Sequence, residues 1–135
     1  MVLSSVLGGF YSTNCPTKLL SVADWELGHV PEIHLEFVPM FWGSSKWSEW
    51  KARVSEMEKK TPTHLLAFNE PEVSSQANMD PDYATQVYME ELYPWASRGV
   101  LLGSPAIVYN IEWMDAFLNA VWKKGGDVDF VCIHW

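Results

Sequence analysis

The sequence has 135 residues, 48% of them hydrophobic, 14% aromatic and 19% charged, which suits one packed domain and excludes a disordered tail or a coiled-coil rod. Asp plus Glu number 17 against 9 Lys plus Arg, a net charge of -8, and no basic cluster is large enough to neutralise a row of phosphates, so nucleic acid is not an expected partner. Apolar stretches fall well short of the roughly 20 residues that a membrane-spanning helix needs, and the acidic balance would repel an anionic lipid surface, so no membrane is expected either.

Taken in chain order, residues 1–20 form an N-terminal segment of uncertain structure. Met1 to Phe10 is mildly apolar, has no Lys or Arg before its apolar part and lacks a small-residue cleavage site, so no secretory signal is evident. Residues 32–40 alternate and then become continuously apolar, which predicts a strand entering a buried sheet and ending at Phe41-Trp42-Gly43. In residues 45–60, Trp47, Trp50, Val54 and Met57 recur at helical steps, with Ser44 or Ser45 as the expected cap and Thr61-Pro62 as the stop. Residues 64–68 are a short apolar run that predicts a strand buried on both faces. Asp80 and Pro81 open a second helix as cap and first position; Ala84, Val87, Tyr88, Leu92 and Trp95 form its apolar side, and Pro94 should distort its last turn before Arg98-Gly99 ends it. Residues 100–106 predict a third strand. A third helix presents Ile111, Met114, Phe117, Leu118, Val121 and Trp122 and closes at Lys123-Lys124-Gly125-Gly126. Residues 128–134 give the last strand.

Strands alternating with helices through short connections predict an α/β fold with a parallel sheet. A doubly wound sheet usually carries a G-x-G-x-x-G turn after a strand, which neither Gly8-Gly9 nor Gly125-Gly126 fits, so a (β/α)8 barrel gains weight. Such a barrel takes about 250 residues. The chain stops at the end of a predicted strand, which reads as roughly half a barrel, a fragment or a truncated gene model.

Parallel α/β folds place functional groups at the carboxyl ends of their strands. Here those positions hold Trp42, Asn69 and Glu70, Ser104, and His134 and Trp135. There is no nucleophilic-serine elbow, Cys15 and Cys132 form no metal or redox motif, and His29, His34, His64 and His134 show no zinc spacing, so neither metal nor organic cofactor is expected. A carboxylate among aromatic and hydrogen-bonding groups is how a neutral sugar is held and cleaved. Glu70 could equally be a loop carboxylate that caps the turn at Pro71, but the end of a buried strand favours the proton-bearing form that a donor needs. Glu72, two residues on, is expected to point away into solvent or to lead a helix. The eight tryptophans fit core packing on helix faces and sugar stacking elsewhere.

Four motifs, Phe37-Val-Pro-Met-Phe-Trp-Gly43, Leu66-Ala-Phe-Asn-Glu-Pro-Glu72, Gly103-Ser-Pro-Ala106 and Asp129-Phe-Val-Cys-Ile-His-Trp135, resemble in order and spacing the Asl1-like glycosyl hydrolase catalytic domain, glycoside hydrolase family 128. The resemblance covers residues 21–135 as a partial catalytic domain, with Asp24 of Ser21-Val-Ala-Asp-Trp25 departing from the Asn-Trp of that family. It implies a β-1,3-glucanase that acts by retention with two glutamates. Glu70 stands where the family has its general acid/base, Asn69 where it has the neighbouring amide, and Trp42, His134 and Trp135 where it lines the sugar groove. The family's nucleophile, a Glu at the end of a later strand, falls beyond Trp135, and the resemblance implies a partial (β/α)8 barrel lacking the first and last strands. The implied partner is β-1,3-glucan, and the implied location is secreted or at the cell wall. The alternative is a carbohydrate-binding protein that keeps the aromatic groove without catalysis.

Overall fold

The computed structural model describes residues 2–5, 9–10, 18–20 and 35–134. Among them run β1 (Val2–Ser5), β2 (Gly9–Phe10), β3 (Lys18–Leu20), β4 (Leu35–Phe37), α1 (Trp47–Met57), β5 (His64–Leu65), α2 (Pro81–Val87), β6 (Leu101–Ile107), α3 (Ile111–Lys123) and β7 (Phe130–His134). β5, β6 and β7 are neighbours in chain order and parallel, as the alternation of strands and helices requires. A parallel bridge from Met40 to Leu66 carries the segment after β4 along β5. Pro39 between them has no N–H, but its carbonyl accepts from Leu66 N at 2.9 Å, and Phe41 N donates to Leu66 O at 3.0 Å, so pairing continues to Phe41. Of the strand expected over residues 32–40, the described part, 35–40, is a short ladder plus this bridge.

Within residues 1–20, left unassigned from sequence, β3 pairs in parallel with β4, and β1 pairs in parallel with β7 and antiparallel with β2. Cys15, Asp24, Trp25, His29, His34 and Trp135 lie outside the described residues.

The helices cover the sheet with the side chains that their spacing selects. Phe41 is fully buried; its ring stacks on Trp50 with centroids 4.7 Å apart and meets Phe68 and Trp47 edge-on. Leu65, Leu66, Ala67 and Phe68 are all buried, as a strand covered on both faces demands. In α2, Asp80 caps the helix by accepting from Tyr83 N at 2.9 Å, and Ala84, Val87, Tyr88, Leu92 and Trp95 are all buried. The distortion expected at Pro94 extends over two segments: the helix widens to π winding at Tyr88–Leu92 and tightens to a 3-10 turn at Tyr93–Arg98. Gly99, at φ 81, ends it.

Two expectations fail. Neither Ser44 nor Ser45 caps α1, which is entered through a 3-10 turn at Ser44–Lys46 whose own geometry supplies the start, without a side-chain cap. In α3 the buried face is rotated: Trp113 joins Met114, Phe117 and Val121 inside, whereas Ile111 and Trp122 are 67% and 76% exposed. Trp113 is drawn in because its indole N–H finds the Met79 carbonyl at 2.9 Å.

β6 carries a bulge. Gly103 pairs with Phe130 but Ala106 pairs with Cys132, so one extra residue sits in β6. Pro105 there has no N–H, and Cys132 N donates instead to the Ser104 hydroxyl at 2.9 Å. Only glycine fits at 103, where a Cβ would lie 2.7 Å from the Phe130 ring. Among the described residues no helix is long and apolar enough to cross a membrane.

Phe41→Ala removes the ring that Trp50 of α1 and Phe68 share and is expected to cost about 3–5 kcal/mol, read as a lower urea midpoint at unchanged slope. A loss below about 1 kcal/mol would show that Trp50 and Phe68 pack without it.

Candidate active site

Because the strands are parallel, their carboxyl ends share one rim, and three main-chain hydrogen bonds extend the pairing up to it. Ala106 N donates to Phe68 O at 2.9 Å, Asn69 N to Trp42 O at 2.9 Å, and Glu70 N to Ala106 O at 2.8 Å. Trp42, Asn69 and Glu70 are thereby placed side by side at the end of the β5 segment. Pairing stops at Glu70, whose φ of 45° lies in the left-handed region that a residue with a side chain rarely adopts.

Oε1 of Glu70 lies 2.5 Å from Nδ1 of His134 at the end of β7. Two lone pairs would repel at that distance, so a proton lies between them. Both side chains are mostly covered, 22% exposed for Glu70 and 11% for His134. Asn69 is held by its own loop: its side-chain N–H donates to Gln76 Oε1 at 3.1 Å, and its carbonyl accepts from Ala77 N at 3.2 Å. Trp42 is half-buried and packs against the main core. Gly43 beside it lets the 71–79 loop close in, since a Cβ there would come within 2.7 Å of the Ala77 Cβ.

Of the positions singled out from sequence, Trp42, Asn69, Glu70 and His134 stand at this rim, and Trp135 lies outside the described residues. Ser104 does not join them; it is buried inside β6, where it accepts the Cys132 N–H. Asp129, which precedes β7, accepts from Leu102 N at 2.8 Å and sits at the amino ends of the strands. Among the described residues, no three His, Cys, Asp or Glu side chains gather as a metal site.

Glu72 departs from its expectation. It neither leads a helix nor points into water: Oε1 accepts from Val108 N at 2.6 Å and Tyr109 N at 3.3 Å, in the loop after β6. Its Oε2 is buried with no hydrogen-bond partner among the described residues. Alternation of side chains presumes an extended chain, and the left-handed turn at Glu70 followed by Pro71 breaks that premise. Gln76, the partner of Asn69, was also missed; no local pattern marks a contact made seven residues away through a turn.

The glycosyl hydrolase catalytic core family model matches residues 16–135. No curated protein matches the sequence. Among solved structures, the chain is similar to a curdlan-specific exo-β-1,3-glucanase of GH128 subgroup III from Blastomyces gilchristii, in complex with glucose, with a TM-score of 0.69 and 34% identity, over 85% of this chain and 51% of that one. It is also similar to a subgroup I endo-β-1,3-glucanase from Amycolatopsis mediterranei in complex with laminaritriose, with a TM-score of 0.63 and 33% identity over 80% of this chain and 44% of the other. A subgroup II endo-β-1,3-glucanase from Sorangium cellulosum gives a TM-score of 0.62 and 27% identity, over 76% and 43%. The chain thus spans about half the length of these relatives.

His134→Ala leaves the covered Glu70 carboxyl without its ring partner and is expected to cost about 1–3 kcal/mol of stability. In a double-mutant cycle with Glu70→Gln, measured by urea unfolding, the two losses should fall short of additive. Full additivity would show that the contact contributes nothing.

Proposed function

Because the chain belongs to the glycosyl hydrolase catalytic core family, we propose that it is the part of a retaining β-1,3-glucanase that carries the general acid/base, Glu70. The observation that supports this most is the Glu70 carboxyl itself, held with a proton between it and His134 at the rim where Trp42 and Asn69 also stand. A neutral sugar polymer offers hydroxyls and flat ring faces, so it is bound by amide, imidazole and indole groups rather than by charge. Trp42 supplies a ring, and Asn69 and His134 supply hydrogen bonds. The substrate class follows the relatives, whose bound sugars are glucose and laminaritriose.

In this mechanism Glu70 protonates the leaving glycosidic oxygen and later takes a proton from the water that releases the sugar. A second carboxylate about 5–5.5 Å away forms the glycosyl-enzyme intermediate. Glu72 is unsuited to that role, since its Oε1 is taken up by backbone N–H groups. We assign the nucleophile to a strand beyond Trp135, and the parallel sheet to part of a (β/α)8 barrel whose site lies at the carboxyl ends of its strands.

Two outcomes test this. Residues 1–135 alone should bind laminari-oligosaccharides and fail to hydrolyse laminarin in a reducing-sugar assay; clear turnover would place the nucleophile within these residues. In a longer chain that includes residues 1–135 and hydrolyses laminarin, Glu70→Gln should lower kcat/KM on laminarin roughly 10²- to 10⁴-fold and much less on an aryl glucoside with a good leaving group. An equal loss on both substrates, or none, would overturn the acid/base role and favour a non-catalytic glucan-binding protein.

A further inference from the structure

Among the described residues, the loop after β6 carries the most exposed aromatic ring on this rim. Val108 and Tyr109 follow the last β6–β7 pair, Ile107 with Ile133, so they stand level with and just beyond His134. Tyr109 is 69% exposed. Isolated apolar side chains on a surface are common and need no explanation. Tyr109 differs because its backbone is fixed from both sides. Glu72 accepts the N–H groups of Val108 and Tyr109, and Asn110 accepts Trp113 N at 3.0 Å to start α3. Glu72 stands two residues from Glu70, so one short segment carries the acid and also holds the loop that presents the ring. Its Oε2 is buried without a partner among the described residues, a desolvation cost that a simple surface turn would not need.

We infer that Tyr109 is a sugar-stacking residue of the glucan groove and that Glu72 is the positioning residue that holds it there. The inference rests on the reading of this rim as a β-1,3-glucan site. A flat ring with few rotatable bonds on a fixed backbone loses little freedom when a pyranose covers it, so its apolar contact is retained as affinity. Glu72 contributes through the loop and touches no sugar.

Binding of laminarihexaose to the 135-residue chain, followed by titration calorimetry, tests both residues. Tyr109→Ala should weaken binding roughly 5- to 100-fold, the range found when ring stacking is removed, whereas Tyr109→Phe should stay within about 2-fold of the unaltered chain. Glu72→Ala should weaken binding, Glu72→Gln should retain it because the amide oxygen still accepts both N–H groups, and Glu72→Ala should add nothing in a Tyr109→Ala background. Contact between the Tyr109 ring and sugar protons, read by nuclear Overhauser effects in the unaltered chain, serves as a second measurement should a variant fail to fold. If Tyr109→Ala binds like the unaltered chain, or no ring contact is seen while binding persists, this inference falls and the glucan reading stands. If the unaltered chain does not bind laminarihexaose, both fall.

Discussion

The hydrogen bond from Glu70 N to Ala106 O is the last rung of the parallel ladder, and the geometry of the rim depends on where it stops. Up to that rung the chain is extended and its direction is set by neighbouring strands. At Glu70 the backbone turns left-handed, so the carboxylate leaves the sheet and the residues after it fold back over the rim. Such a conformation is unfavourable for a residue with a β-carbon and persists because the surroundings enforce it. Two constraints do so here: the rung itself, and the Val73 N–H, which donates to Glu70 O at 3.0 Å.

Around this fixed point, polar contacts join segments far apart in sequence. Glu70 and His134 are 64 residues apart and link the ends of β5 and β7, while Glu72 links the same segment to the end of β6. Beneath them the aromatic cluster of Phe41, Trp50 and Phe68 anchors the two segments that carry Trp42 and Asn69. An apolar layer supplies most of the cohesion, and the polar layer above it sets direction. That division suits a surface that must hold side chains in place while remaining open to a large, neutral ligand.

The pattern of strands and helices from residue 32 onward was legible because each element has a strong period and a stop: Pro62, Asp80-Pro81, Gly99 and Gly125 mark boundaries that local chemistry enforces. Positions at strand ends were legible for the same reason. Elements in residues 2–20 were not, since strands of two to four residues are shorter than any period that could announce them. Trp113 and Trp122 show the limit of helical spacing. Both sit near an apolar stripe, and which one turns inward is decided by a carbonyl at Met79 that only the folded chain brings near. Glu72 failed for a related reason, because one left-handed residue reverses the parity on which any argument about alternate faces depends.

The bulge in β6 makes the length of that strand a matter of parity. With one residue more than its partner between Gly103 and Ala106, β6 delivers Ala106 O to Glu70 and leads to the Val108 and Tyr109 N–H groups that Glu72 accepts. Deleting a single residue there would either close the bulge and straighten the strand, or slip the residues that follow by one pair and turn their inner faces outward. Homologous replacement or grafting of this strand must therefore preserve its residue count before its composition, because a side chain can be repacked but a register cannot be partly shifted.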